Sequence, residues 1–251
     1  MVPGGEENFR LSSFILQPSS FILISMTSPI IVALDVPEQE TALRLVESLG
    51  PAVGFYKIGL QLFTRCGPGV VEAVKGAGAK VFLDLKFHDI PNTVQHAVES
   101  AAALGVDMLT IHLSGGSAMI RAAAEGAAGR TMLLGVTVLT SSTRDTLRET
   151  GTDAPVEDQV LRLARLAVEN GVTGIVASPL EVSLLRQVFG AALTIVTPGV
   201  RPDWAAANDQ QRTMTPKAAM QAGANYLVIG RPITGQANPR EAAERILAEL
   251  V

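Results

Sequence analysis

Asp84, Lys86 and Asp89 set two carboxylates around one ammonium within a six-residue span. A lysine flanked in this way stays charged and aimed, the state that a proton donor or a stabiliser of developing negative charge requires. Such a group is costly to desolvate unless every charge is paired, so folding alone seldom selects it. The ordinary alternative is a wet strand end, with Asp84 and Lys86 in water and Asp89 assisting the start of the next helix. For an isolated D-x-K-x-x-D that alternative is the better one, and the rest of the chain decides against it.

The stretch from Val81 to Lys86 has strand character, so its side chains alternate. Val81, Leu83 and Leu85 take one face, and Phe82, Asp84 and Lys86 take the other. From residue 30 onward, short β-branched runs at 30–34, 55–59, 80–85, 108–112, 132–139, 174–177, 194–197 and 226–229 read as strands. Helical patterns lie between them at 38–49, 67–77, 92–104, 116–128, 156–170, 180–188, 214–222 and 238–250, and Asn92 with Gln95 could form a capping box after Pro91. Eight such alternations in about 220 residues are the size of a single-domain (β/α)8 TIM barrel of the α/β class. An open doubly wound sheet is the runner-up, but no G-x-G-x-x-G follows the first strand.

Barrel enzymes gather their active residues where the strands end. Asp35 follows the first strand, Lys57 lies near the end of the second, and Asp84 and Lys86 end the third. With Asp89 this makes three acids and two lysines expected on one rim. Each alone has a plain explanation, Asp35 as a turn former and Lys57 as a rim lysine with its ammonium in water. All five together are hard to attribute to chance. After the eighth strand, Gly230-Arg231-Pro232 offers close backbone approach and a guanidinium fork, both suited to phosphate. The long connection from Pro198 to Thr213 carries Arg201 and Gln210, placed to close over the same anion, although Gln211 or Arg212 could substitute. Thr140, ending the fifth strand, can donate a hydrogen bond to a ligand.

Composition bounds the partners. The 251 residues carry a net charge of −4, from 20 Lys and Arg against 24 Asp and Glu, with no basic stripe to neutralise a run of nucleic-acid phosphates. The single cysteine, Cys66, has no internal disulfide partner, which fits a reducing cytoplasm. The three histidines, His88, His96 and His112, make no spaced zinc ligand set, so no metal site is expected. His88 is given a structural role. Residues 1–28 differ from the barrel region 29–251: Ser-Ser-Phe-Ile-Leu occurs at 12–16 and again at 19–23, without charge. Glu6, Glu7 and Pro18 spoil both a signal peptide and a membrane span. Residues 1–28 are therefore expected to be an N-terminal extension, disordered or non-native, with natural translation starting at Met26.

Several of these motifs, in order, closely resemble the orotidine 5′-phosphate decarboxylase family. They are Tyr56-Lys57-Ile58-Gly59, Asp84 through Thr93, Pro198-Gly199-Val200-Arg201-Pro202, and Gly223 through Pro232. The resemblance runs from about Ile30 to Val251. It implies a homodimeric barrel that converts orotidine 5′-monophosphate to UMP and carbon dioxide, the last step of de novo pyrimidine synthesis, without metal or organic cofactor. Carried across, Lys57, Asp84, Lys86 and Asp89 form an alternating charge network, with Asp89 and Thr93 reaching into the partner subunit's site. Asp35 and Lys57 would hold the ribose, Thr140 the pyrimidine, and Gln210, Arg231 and the Gly230 and Arg231 amides the phosphate, with Arg201 beside it. Two rivals remain. A related sugar-phosphate decarboxylase would share D-x-K-x-x-D but use magnesium with an acidic ligand near the second strand's end, where this chain has Lys57-Ile58-Gly59-Leu60-Gln61. A noncatalytic nucleotide-binding protein would need neither Asp84 nor Lys86.

Overall fold

A computed structural model describes residue 1, residues 28–205 and residues 213–250. Eight parallel strands close into a barrel in chain order: β1 (Ile30–Ala33), β2 (Phe55–Gly59), β3 (Lys80–Phe87), β4 (Met108–His112), β5 (Met132–Val136), β6 (Gly174–Val176), β7 (Thr194–Thr197) and β8 (Tyr226–Ile229). The helices are α1 (Gln39–Leu49), α2 (Leu60–Cys66), α3 (Gly69–Gly76), α4 (Pro91–Ala103), α5 (Gly116–Ala127), α6 (Arg144–Glu149), α7 (Val156–Glu169), α8 (Val182–Phe189), α9 (Pro216–Gln221), α10 (Arg231–Thr234) and α11 (Pro239–Glu249). This is the (β/α)8 TIM barrel, in one domain.

The two-residue period of the strands builds two separate cores. Ile31, Ala33, Phe55, Phe82, Met108, Leu134, Val196 and Val228 point inward and fill the barrel. Their neighbours, among them Ile30, Val32, Ile58, Val81, Leu83, Leu109, Ile175 and Leu227, belong to the layer between strands and helices. The helices answer with one apolar stripe each; in α7 it is Val160, Leu163, Ala164 and Ala167, spaced at i, i+3, i+4 and i+7. Each fully buried Leu, Ile or Val stabilises the fold by about 1.5–3 kcal/mol. The alternation expected for β3 holds: Val81 and Leu83 face the helices, while Phe82 faces the barrel axis.

Several local expectations fail for physical reasons. Strand β5 stops at Val136 rather than 139, because Thr137 turns its hydroxyl onto the Val176 carbonyl (2.9 Å) beside its own amide (3.3 Å), and the chain then leaves the sheet. The helix expected at 67–77 is α3, but a further helix, α2, precedes it and ends at Gly67, at φ +67°. No Asn92 capping box forms. Ile90 is the N-cap residue, Pro91 takes the first helical position where its missing N–H costs nothing, and Asn92 falls inside α4. Gln95 instead donates to Glu99 one turn on (3.3 Å). The short helices α6 and α10 sit in segments that read as loops. The expectation for the N-terminal extension falls, but for its end residues, outside the described part of the chain.

Candidate active site

At the C-terminal mouth of the barrel lies a cavity of about 260 Å³. Phe82, Val136, Val176 and Val228 make its apolar floor and wall, and Asp35, Lys57, Asp84 and Lys86 supply its charge. Thr140, Arg201, Gly230 and Arg231 stand round the opening. A larger hollow of about 600 Å³ at the other end of the barrel has Lys80 as its one charged lining residue, so the chemistry belongs to the mouth.

The four charged side chains alternate in sign along a continuous chain. Lys57 Nζ lies 3.2 Å from Asp35 Oδ1 and 3.5 Å from Asp84 Oδ2, and Lys86 Nζ donates to Asp84 Oδ1 at 2.7 Å. The side chains of Lys57 and Asp84 are each 12% exposed and that of Lys86 is 29% exposed, so the inner links of the chain are shielded from water while Asp35 at the lip is open. Burial alone would raise the Asp84 pKa. The Lys57 and Lys86 ammoniums, with hydrogen bonds from Lys86 and Thr110, outweigh it and hold the carboxyl below its usual range. Gly59, closing β2, keeps room for this chain, since a Cβ there would stand 3.0 Å from Lys57 Nζ.

Lys86 itself sits on a distorted backbone. The β3–β4 register shifts between Leu83 and Phe87, and Lys86 adopts φ +52°, a left-handed conformation that costs a non-glycine residue about 1–2 kcal/mol. Its amide donates to Thr110 Oγ1 (2.9 Å), and that hydroxyl donates to Asp84 Oδ1 (3.0 Å). Thr110 was not among the residues read as functional. The available signal was a hydroxyl and an imidazole, Thr110 and His112, on the inward phase of an otherwise apolar strand.

Asp89 does not join the cluster within its own chain. Beyond the bulge, Asp89, Ile90 and Thr93 are exposed and outside the cavity lining. The Asp89 carboxylate accepts the Ile90 amide at 2.7 Å. Two acids and two lysines therefore converge, rather than three and two. His88 is also exposed rather than packed in the apolar layer, its ring 5.5 Å from that of His112. Burial, then the neighbouring His88 and Lys86, push the His112 pKa down against a smaller upward pull from Asp84. Thr140 lines the cavity from a turn beyond β5, not from the strand end. Gln210, Gln211 and Arg212 lie outside the described residues. The Trp204 indole N–H donates to Glu249 at 2.8 Å, and the ring lies beneath the Arg245 guanidinium.

A closed parallel barrel with a charged cavity at the C-terminal ends of its strands is the architecture of a (β/α)8-barrel enzyme. Residues 28–246 match the orotidine 5′-phosphate decarboxylase / HUMPS family, and the chain belongs to that family. An orotidine 5′-phosphate decarboxylase of Syntrophotalea carbinolica is 52% identical over 237 residues, covering 91% of this chain and 97% of the relative. One from Moorella thermoacetica is 50% identical over 230 residues, covering 88% and 91%. The crystal structure of orotidine 5′-phosphate decarboxylase from Lactobacillus acidophilus has a TM-score of 0.79 to this fold at 40% identity, covering 88% of this chain and 98% of that one.

Proposed function

We propose that the chain decarboxylates orotidine 5′-monophosphate to UMP and carbon dioxide, the closing step of de novo pyrimidine synthesis. The observation that carries the mechanism is the alternating Asp35–Lys57–Asp84–Lys86 chain in a cavity with an apolar floor. The phosphate lies against Gly230 and Arg231, with Arg201 beside it. Asp35 and Lys57 hold the ribose hydroxyls, and Thr140 meets the pyrimidine. C6 then faces Lys86.

The bond from C6 to the carboxylate carbon breaks, its electron pair stays on C6, and carbon dioxide leaves. That pair lies in the ring plane, out of conjugation with the ring carbonyls, so fixed charge must stabilise it. An ammonium about 4 Å away contributes about 4 kcal/mol at an effective dielectric of 20. Enzymes lower barriers by about 8–23 kcal/mol, so preorganised neighbours and phosphate binding supply the remainder. Lys86 donates its proton to C6 and recovers one from solvent, while Asp84 keeps the ammonium aimed. Lys57, held between two carboxylates, occupies the place where a magnesium-dependent relative would need an acidic ligand, which favours the metal-free reaction.

Asp89 and Thr93 are exposed and outside the cavity lining of their own chain, which supports their service in the site of a second copy, as a homodimer with shared sites. Among the described residues no helix is long and apolar enough to cross a membrane, and with one thiol in the chain we assign the enzyme to the cytoplasm. The family match begins at residue 28, which supports treating residues 1–28 as an extension of a barrel spanning 29–251. Lys86→Ala should abolish turnover while UMP still binds. Mixing it with inactive Asp89→Ala subunits should restore part of the activity. Near-native rates for Lys86→Ala would remove it from proton transfer, and a silent mixture would leave each chain self-sufficient.

A further inference from the structure

We propose that Thr110 is a positioning residue for this reaction, a single hydroxyl that sets both the carboxylate of Asp84 and the backbone of Lys86; the inference rests on the functional reading above. Thr110 is on β4, in the inward phase between Met108 and His112, and is fully buried. A hydroxyl has one proton and two lone pairs. The Lys86 amide can only donate and ionised Asp84 can only accept, so both hydrogen bonds, at 2.9 and 3.0 Å, have a fixed direction. No other arrangement of that proton satisfies both partners.

The location explains the need. At the bulge the β3–β4 ladder breaks register, and a side chain on β4 supplies the acceptor that holds the Lys86 amide. Lys86 would relieve its left-handed φ by rotating toward an ordinary strand conformation, which would carry Nζ away from C6. The Thr110 hydroxyl opposes that rotation from the backbone side. Through Asp84 Oδ1, which also accepts from Lys86 Nζ, it aligns the same residue from the side-chain side. Backbone and ammonium are thus tied to one buried atom. Thr110 does not line the cavity, so its removal leaves the ribose and phosphate contacts intact.

The test compares T110V, T110S and T110C with the wild-type chain. Valine keeps the shape and loses both hydrogen bonds, serine keeps the hydroxyl, and cysteine substitutes a weak donor and acceptor. T110V should lose about 10²-fold in kcat, the scale of a misplacement near 1 Å. Its KM for orotidine 5′-monophosphate should stay within about threefold, because only the transition state feels the change. T110S should recover most of the rate. If T110V does not fold, T110C serves, with a loss of about tenfold in kcat expected from its weaker bonds. Beside an active wild-type enzyme, an unchanged kcat in T110V, an equal loss in KM, or a loss that serine does not rescue would overturn the inference alone. Absence of turnover in the wild-type protein would instead refute the functional reading, and the catalytic role of Thr110 with it. A second readout is independent of turnover: the Lys86 amide proton should exchange with solvent at least about tenfold faster in T110V than in wild type or T110S. Equal protection in all three would also overturn the inference.

Discussion

Replacing Asp84 by asparagine removes the one anion between two ammoniums while preserving its size. Lys86 Nζ is 2.7 Å from Oδ1 and Lys57 Nζ is 3.5 Å from Oδ2. At an effective dielectric of 20 the gross attractions are about 6 and about 5 kcal/mol. Most of this is offset by the cost of taking three charges out of water, and removing one partner of a buried pair typically costs about 3–5 kcal/mol. Lys86 keeps part of its hydration and Asp35 still neutralises Lys57, so the lower end applies: about 3 kcal/mol. For a chain of this length that corresponds to a fall of roughly 6–12 °C in Tm. Turnover should fall by at least about 10²-fold, as when a preorganised charge partner is lost. Circular dichroism melting of wild type and Asp84→Asn, paired with loss of substrate absorbance, measures both. A variant as stable as wild type, or more stable, would refute the claim that Asp84 holds the lysines together; an undiminished rate would refute its part in catalysis.

Other consequences are as direct. Arg231→Ala should weaken UMP far more than uridine in calorimetric titrations, and equal losses would discredit the phosphate assignment. Arg186 donates to the carbonyls of Gly223 (2.7 Å), Gly190 (2.8 Å) and Leu193 (2.7 Å) and to the Asn225 side chain, joining the end of α8 to the starts of β7 and β8. Arg186→Leu leaves those acceptors unsatisfied and should cost about 2 kcal/mol in chemical denaturation, with turnover at 25 °C preserved. His112 has a depressed pKa, so on acidification the unfolded chain takes up this proton first. Its stabilising contribution is complete above the ordinary histidine value, about 6.5, and is lost as pH falls through the folded value. Tm should therefore fall below about pH 6.5, and His112→Phe should flatten that segment of the profile. Asp84 has the same sign at lower pH, its contribution being lost below the usual carboxylate range.

The barrel was legible because the parallel strands are largely apolar on both faces, so the β-branched runs stand out between amphipathic helices. Boundaries failed where side chains competed with the ladder, as Thr137 does at the end of β5. Asp35, Lys57, Asp84 and Lys86 were placed together by their positions at the strand ends, and they do converge. Asp89 was expected with them but is exposed and outside the cavity lining of its own chain; it follows the left-handed Lys86, and nothing in a lysine's side chain announces a positive φ. Thr110 escaped for a different reason: threonine is an ordinary strand residue, and only the crossing of its hydroxyl with the bulge on β3 gives it a role.

The most direct measurement is the loss of ultraviolet absorbance of orotidine 5′-monophosphate on addition of the purified protein, with and without excess EDTA. Turnover at the same rate in both is the predicted result, with Lys86 and its carboxylate neighbours supplying the charge. No turnover of this substrate, or turnover that EDTA removes, would contradict the account.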